Sequence, residues 1–278
     1  MKNTTGLATP LPLMSAASGE VNNKLDKLFF FGKKNILNMY CTAGFPALES
    51  TATVMLALQQ HGADIIELGI PYSDPIADGQ VIQQSNMQAL QNGISIQKIF
   101  FQLNAVKDQL HIPVILMGYL NPVMQYGLEK FCADASAAGV SGIILPDLPM
   151  YEYEQLYQQL FKKYGLHCIF LISPQTSPQR IKKADELSSG FIYAVSSSAT
   201  TGGDTDLKTQ RDYFKKISSL KLKNPVLIGF GIKDRATFDL ACMYAAGAII
   251  GSAYIKAIKH SIDINGTTRE FIQQLKTV

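Results

Sequence analysis

The sequence predicts an α/β fold, a (β/α)8 TIM barrel, on three observations. Short apolar runs rich in β-branched residues alternate with amphipathic stretches, eight such pairs can be counted, and 278 residues is a usual length for this architecture. An open, doubly wound parallel sheet is the alternative that the same alternation allows. No linker or shift in composition divides residues 21–278, so we expect them to form a single catalytic barrel domain.

The eight apolar runs are the candidate strands. Their almost unbroken apolar character is typical of parallel strands that are covered on both faces. The predicted strands are 36–41, 64–70, 113–119, 142–146, 168–172, 191–196, 225–230 and 248–251.

Helical patterns fill the intervals between these strands. The helices predicted there are 48–61, 96–110, 127–138, 151–164, 178–188, 207–220 and 235–246. An extra N-terminal helix is expected at 21–30, an inserted helix after the second strand at 80–91, and a closing helix at 267–276. Gly62, Gly139 and Gly247 follow helical patterns at positions where C-terminal caps are expected. Residues 1–20, which include two prolines in a short apolar run, are expected to form a disordered leader.

Composition and charge argue against several classes of function. The formal net charge is +3 and no Lys/Arg-rich stripe with interleaved aromatic residues occurs, so we expect no nucleic-acid partner. The four cysteines lie far apart in apolar surroundings, which favours reduced core residues over disulfides or zinc ligands. The uncharged stretch 240–255 is too short for a membrane span and contains two glycines. We therefore expect a cytoplasmic protein without membrane association.

The segment 67–79, Glu-Leu-Gly-Ile-Pro-Tyr-Ser-Asp-Pro-Ile-Ala-Asp-Gly, is the most informative part of the chain. It places Glu67 within an apolar strand and puts Asp74 and Asp78 on the loop that follows. Because side chains alternate along a strand, Glu67 shares a face with Gly69, where we expect open space. A carboxylate removed from water must be paired, protonated or retained for function. The segment therefore favours acid-base catalysis, with a structural ion pair as the alternative.

Active sites of barrels of this type lie at the C-terminal ends of the strands. The polar residues expected there are Tyr40, Glu67, Tyr119, Asn121, Asp147, Tyr193 and Ser196. No lysine occupies a predicted strand, which argues against a Schiff-base aldolase. The four histidines fall at helix ends or strand starts, away from this end, so we expect no metal site.

Glycine-bearing turns follow the seventh and eighth predicted strands, at 228–232 and 250–256. Glycines let backbone amides approach phosphate oxygens, and a short helix opening near Ser252 would direct its N-terminus to the same point. The sixth loop, at 200–204, could close over that point as a lid. The pair of turns favours a phosphate site, although tight turns alone would also explain the glycines.

These motifs resemble those of the tryptophan synthase α subunit family. The resemblance spans residues 25–276 and rests on segment 67–79, Leu145-Pro-Asp-Leu-Pro, Phe191-Ile-Tyr, Thr201-Gly, Gly229-Phe-Gly-Ile and Gly251-Ser-Ala. It implies retro-aldol cleavage of indole-3-glycerol phosphate to indole and D-glyceraldehyde 3-phosphate, in tryptophan biosynthesis and without a cofactor. It also implies that indole passes to a β subunit, which carries pyridoxal phosphate, within an α2β2 assembly.

The resemblance assigns roles to individual residues. Glu67 matches the general acid-base that protonates indole C3 and takes the hydroxyl proton, Asp78 matches the carboxylate that accepts the indole N–H, and Tyr193 matches a supporting tyrosine near the glycerol chain. The remaining matches are Gly202, Gly231, Gly251 and Ser252 for phosphate, and Tyr40 and Phe230 for indole. The loop with Pro71, Tyr72 and Asp74 is expected to be the surface that docks the β subunit. Asn121 and Asp147 could face that partner, orient loops or make buried structural hydrogen bonds.

Two departures from the family pattern affect the expected function. Gln80 stands where the family usually has proline, which could loosen the loop that carries Asp78, and residues 197–199 alter the sixth loop. One alternative is therefore a catalytically weak or idle α-type subunit that binds substrate and activates the β subunit. Another is a different phosphate-binding barrel enzyme acting on phosphorylated anthranilate or indole precursors. The intact carboxylates argue against the idle subunit. The absence of a strand lysine and the spacing between Glu67 and Asp78 argue against the other barrel enzyme.

Overall fold

The computed structural model describes residues 23–195, 207–229 and 231–276, and its strands form one parallel sheet. The predicted leader and the sixth loop lie outside these residues. The strands are β1 Ile36–Thr42, β2 Ile65–Gly69, β3 Val114–Met117, β4 Gly142–Ile144, β5 His167–Cys168, β6 Leu171–Ile172, β7 Ile192–Val195, β8 Val226–Gly229 and β9 Gly247–Ile250. Strand β1 pairs with β2 on one side and with β9 on the other.

The predicted fifth strand is broken into β5 and β6, and this broken strand closes the barrel. Strand β5 pairs with β4, and β6 pairs with β7. Between them, the amide of Ile169 donates to the carbonyl of Ile143, and the amide of Tyr193 donates to the carbonyl of Phe170, each at 3.1 Å. The nine segments therefore fill eight strand positions, which confirms the TIM barrel and excludes an open sheet.

Helices cover the outside of this barrel. In the described residues they are α1 Lys24–Phe30, α2 Ser50–His61, α3 Gln80–Gln91, α4 Ile96–Val106, α5 Leu120–Tyr126, α6 Leu128–Ala137, α7 Met150–Glu152, α8 Gln158–Lys163, α9 Pro178–Leu187, α10 Leu207–Ser219, α11 Arg235–Tyr244, α12 Ser252–Ile258 and α13 Ile264–Lys276. A π-helical turn, Tyr153–Tyr157, joins α7 to α8. None of the described helices is long and apolar enough to cross a bilayer.

The extra N-terminal helix and the inserted helix are both confirmed, as α1 and α3. Helix α5 was not predicted, because Pro122 and two flanking glycines make its seven residues resemble a loop in the sequence. Gly62 caps α2 as expected, with a φ of +102°. The expected cap at Gly247 is wrong, because this residue begins β9, where a Cβ atom would lie 2.1 Å from the carbonyl oxygen of Ile36.

The N-terminal end of the barrel is covered by α1. Leu25 of this helix is fully buried, and the Asn23 side chain donates to the carbonyls of Ser141 and Gly165, at 2.8 and 2.9 Å. Both carbonyls lie close before the starts of β4 and β5. The N-terminal end of the barrel is therefore closed by packing contacts, and the functional site is expected at the C-terminal end.

A methyl group at Gly247 should destabilise the barrel through its contact with the β1 backbone. We expect Gly247→Ala to lower the free energy of unfolding by about 2–3 kcal/mol or more, since overpacking here requires the two strands to move apart. Gly165→Ala is the matched control, because its φ is +65° and a Cβ meets no atom within 4 Å; it should cost about 1–2 kcal/mol. Urea denaturation measures both, and equal losses would contradict the contact argument.

Candidate active site

Glu67 lies in the middle of β2, and only 1 % of its surface is exposed. The side-chain amide of Asn38 on β1 donates to its Oε2 at 3.1 Å, while its Oε1 has no hydrogen-bond partner among the described residues. Among the described residues, no cationic side chain forms an ion pair with Glu67, so these residues do not support the alternative of a structural ion pair. Burial raises the pKa of Glu67 to about 8, against the opposing effect of the Asn38 hydrogen bond. The carboxyl is therefore mostly protonated at neutral pH.

The open space expected beside Glu67 at Gly69 is not present. A Cβ atom on Gly69 would lie 2.1 Å from the hydroxyl oxygen of Tyr40, so the phenol of Tyr40 occupies that position. Register places Tyr40 of β1 directly beside Glu67. The prediction of space was wrong because it considered β2 alone, whereas the side chain that fills the gap comes from the neighbouring strand. Burial raises the pKa of Tyr40 well above its ordinary value, and the phenol stays neutral.

Asp78 lies on the loop between β2 and α3 and is partly buried. Its carboxylate accepts a hydrogen bond from the side-chain amide of Asn86 at 3.2 Å and another from the hydroxyl of Tyr119. The Gln83 side chain also donates to the main-chain carbonyl of Asp78 at 2.8 Å. Burial raises the pKa of Asp78 to about 6, and the two hydrogen bonds to the carboxylate oppose this rise. Asp78 is therefore mostly ionised at neutral pH.

Tyr119 fixes the loop that carries Asp78. Its buried hydroxyl accepts a hydrogen bond from the amide of Ala77 at 3.0 Å, next to the bond that it donates to Asp78. Tyr119 stands at the start of α5, where the amide of Leu120 donates to both carboxylate oxygens of Asp147, at 2.9 and 3.0 Å. Asp147, an expected strand-end residue, thus orients a loop and does not itself contact the two carboxyls.

Tyr193 of β7 completes the group. Its ring lies against β8, where a Cβ on Gly229 would meet its hydroxyl oxygen at 2.5 Å. Burial raises the pKa of Tyr193 well above its ordinary value, and the carboxyls of Glu67 and Asp78 raise it further. Four of the expected residues, Tyr40, Glu67, Asp78 and Tyr193, therefore meet at the C-terminal end of the barrel.

The two glycine turns lie beside each other at the same end. Gly231 follows β8 with a φ of +76°, and Gly251 precedes Ser252, the first residue of α12, directly after β9. Strands β8 and β9 pair in parallel, with Gly229 opposite Ile249, so the two turns leave the sheet together. Gly202, Phe230, Ser196 and residues 197–199 lie outside the described residues.

The expected partner residues form part of the surface around Asp78. Tyr72 packs on Tyr119 with ring centroids 5.3 Å apart, and its hydroxyl accepts a hydrogen bond from the Asn121 side chain at 3.3 Å. Pro71 is buried at the end of β2, and Asp74 is exposed. Ile76 was not among the expected partner residues, although its side chain is 78 % exposed on this loop.

Two further contributors, Asn38 and Asn86, were not found from the sequence, and a third, Tyr119, was found only in part. Asn38 carries a signal, since a single amide interrupts an apolar strand two residues before Tyr40. Asn86 has no such signal in the sequence, because its distance from Asp78 depends on the direction that α3 takes after the loop. Tyr119 was expected at a strand end, but its bonds to the second loop were not. In the described ranges, no cluster of three or more His, Cys, Asp or Glu residues could hold a metal ion, and the four cysteines are free thiols.

A (β/α)8 barrel that gathers two carboxyls and two tyrosines at the C-terminal ends of its strands has the architecture of a barrel enzyme with its site at that end. The family model for the tryptophan synthase alpha chain matches residues 31–277. The chain is 46 % identical over 261 residues to the tryptophan synthase alpha chain of Christiangramia forsetii, covering 93 % of this chain and 98 % of the relative. It is 46 % identical over 242 residues to that of Bacteroides thetaiotaomicron, covering 87 % and 94 %.

Solved structures agree with these relatives. Tryptophan synthase subunit alpha from Legionella pneumophila superimposes with a TM-score of 0.83 at 33 % identity, covering 91 % of this chain and 97 % of that one. A chain of the tryptophan synthase complex from Pyrococcus furiosus gives a TM-score of 0.79 at 34 % identity, covering 87 % and 98 %. The chain belongs to the tryptophan synthase alpha chain family and is a lyase of tryptophan biosynthesis.

The raised pKa of Glu67 predicts a pH-dependent stability cost. Between pH 4.5, the ordinary pKa of the group, and about pH 8, the folded state binds a proton that the unfolded state has lost, so stability falls as pH rises. We expect Glu67→Gln to be more stable than the parent by several kcal/mol at pH 9 and equally stable at pH 4. Urea denaturation at both values tests this, with the pH 4 comparison as the internal control. A difference that does not change with pH would refute the buried-acid description.

Proposed function

We propose that this chain is a cytoplasmic enzyme that cleaves indole-3-glycerol phosphate to indole and D-glyceraldehyde 3-phosphate by a retro-aldol reaction. The observation that carries the proposal is a pair of carboxyls at one end of the barrel, Glu67 buried without a cation among the described residues and Asp78 held as a hydrogen-bond acceptor on the next loop. Burial raises the pKa of Glu67 to about 8 and that of Asp78 to about 6. One is a proton donor at neutral pH and the other an anion, as an acid-base lyase of this kind requires.

The reaction needs only proton transfers. Protonated Glu67 gives its proton to indole C3, which leaves a ring cation with positive charge on nitrogen. The Glu67 carboxylate then takes the proton of the adjacent glycerol hydroxyl as the C–C bond breaks. Electrons from that bond return to the ring, the aldehyde forms, and Glu67 is protonated again. The proton balance closes within one residue, so we propose catalysis without a cofactor.

Asp78 stabilises the charge that develops during this step. A carboxylate that accepts the indole N–H faces the nitrogen where positive charge appears, which lowers the energy of the cation more than that of the neutral substrate. The bonds from Asn86 and Tyr119 support this role because they hold the carboxylate before substrate arrives. Tyr193, which faces both carboxyls, suits a supporting contact to the glycerol chain.

Substrate binding is assigned to the surrounding residues. Tyr40, together with Phe230, would flank the indole ring. Gly231, Gly251 and Ser252, together with Gly202, would hold the phosphate, where backbone amides at the start of α12 can donate to an anion. The adjacency of the two turns after β8 and β9 supports this assignment.

The loop 71–78 supports a proposed partner, a tryptophan synthase β subunit that receives the indole and carries pyridoxal phosphate, in an α2β2 assembly. The P. furiosus relatives include a tryptophan synthase α2β2 complex solved to explain its mutual activation. An exposed isoleucine beside the exposed Asp74 is a surface that a partner would cover.

The idle-subunit alternative is less well supported than catalysis. It rested on Gln80, which begins α3 at a position suited to proline, and on residues 197–199 of the sixth loop, which lie outside the described residues. Three bonds nevertheless hold the loop around Asp78, from Gln83, Asn86 and Tyr119. These bonds compensate for the missing proline.

Indole release from indole-3-glycerol phosphate by the purified chain tests the proposal. We expect kcat/KM to rise through about pH 6, as Asp78 ionises, and to fall through about pH 8, as Glu67 loses the proton it must donate. Glu67→Gln should lower the rate by about 10²–10⁴-fold. Asp78→Asn should remove the rise of kcat/KM through about pH 6, and it should also lower the rate.

Glu270→Gln, on the outer helix α13, is the matched control for loss of a carboxylate and should keep the parent rate. Indole release that survives Glu67→Gln would overturn the assigned mechanism. Substrate binding without turnover, with or without a β subunit, would instead establish the idle subunit.

The partner surface makes a separate prediction. We expect Ile76→Asp to weaken binding of a tryptophan synthase β subunit at least about tenfold, because a charge would enter a buried contact. Ile262→Asp is the matched control, since Ile262 is fully exposed beyond the far end of α12. Titration by calorimetry measures both dissociation constants. Equal affinities for the two variants would remove Ile76 from the interface.

A further inference from the structure

Asn38 is a completely buried amide in an otherwise apolar strand. Its Nδ2 donates to Oε2 of Glu67 at 3.1 Å, while its own Oδ1 has no partner among the described residues. The Oε1 of Glu67 likewise has none in that part of the chain. This pair of side chains therefore contains two buried acceptor atoms without hydrogen bonds, one on each residue. Leaving them unsatisfied costs folding free energy that the packing of the strand does not require.

The chemistry of the two groups explains both acceptors. Ionised Glu67 only accepts hydrogen bonds, whereas protonated Glu67 has one O–H that needs an acceptor. An asparagine amide carries donors on one side and an acceptor on the other, and a half-turn about its Cβ–Cγ bond exchanges them. Oδ1 of Asn38 can then accept the proton of the acid, and Nδ2 can donate to the carboxylate.

We propose that Asn38 is a positioning residue that holds the Glu67 carboxyl in both protonation states, donating to the carboxylate and accepting from the acid. This deepens the proposed function, on which it rests, because a general acid-base must keep its orientation while it gives and takes one proton. An amide does this without a charge of its own. A leucine at the same position would fill the space and serve neither state.

The other titratable groups near Glu67 do not supply this exchange. Tyr40 and Cys41 on β1 and Tyr193 on β7 are buried, with pKa values raised above the ordinary ones. Asp78 raises the pKa of Glu67 through like charge, whereas the Asn38 hydrogen bond lowers it. Removing the amide therefore shifts the titration of Glu67 upward.

Carbon-13 NMR of the Glu67 side-chain carboxyl tests the proposal without any substrate. We expect Asn38→Leu to raise the pKa of Glu67 by about one pH unit, because the hydrogen bond lost by the carboxylate is stronger than the one lost by the neutral acid. Asn38→Ala should do the same if the leucine variant does not fold. The alkaline limb of the indole-release profile should move up by the same amount.

Gln102→Leu is the matched control, because it removes a buried amide from α4, outside the barrel interior, and should leave the titration in place. In the unmodified chain, the nitrogen-15 shift of the Asn38 side-chain amide should titrate with the pKa of the Glu67 carboxyl. Unchanged Glu67 titration in the variants, or an Asn38 amide that does not titrate, would overturn the proposal. If the Asn38 amide and the Glu67 carboxyl titrate together but no indole is released at any pH, the role of Asn38 is supported and the proposed reaction is refuted.

Discussion

The removal of the Glu67 carboxyl from water is the constraint on which the rest of the site depends. A carboxylate in the middle of a buried strand costs several kcal/mol, and no cation in the described residues offsets that cost. The group is instead protonated, with a single amide donor beside it. The barrel thus gives up stability to keep a carboxyl in its interior, and the hydrophobic packing of the surrounding strands offsets this cost.

Asp78 shows how the same fold produces the opposite protonation state eleven residues further along the chain. It stands on a loop where solvent remains, and two hydrogen bonds stabilise its anion. The donors of these bonds lie outside the loop, on α3 and at the start of α5. Asp147 in turn fixes the start of α5 through the amide of Leu120. The difference between the two carboxyls is therefore set by the packing of several loops, not by the residue type.

The sequence predicted the alternating strands and helices and the two carboxyls, because burial and hydrophobic periodicity can be recognised within a single segment such as residues 67–79. It failed wherever the answer depends on two segments at once. Gly69 lost its expected space to Tyr40 from the next strand, and Asn86 reaches Asp78 only through the direction of α3. The fifth strand appeared continuous, although the barrel divides its pairing between β4 and β7. Contacts between elements have no signature in either element alone.

The position of Tyr119 gives the proposed partner a physical route to the chemistry. Its ring packs on Tyr72, and its hydroxyl binds both Ala77 and Asp78. A protein seated on Ile76 would press on the segment between these contacts, so it would act on the orientation of Asp78 and leave Glu67, which is fixed within β2, in place. Such coupling requires a loop with two arrangements that both sites bias. The loop is suited to this because Gln80, at the first position of α3, lacks the rigidity that a proline would have there, so side-chain bonds, which a partner can strengthen, hold the loop around Asp78.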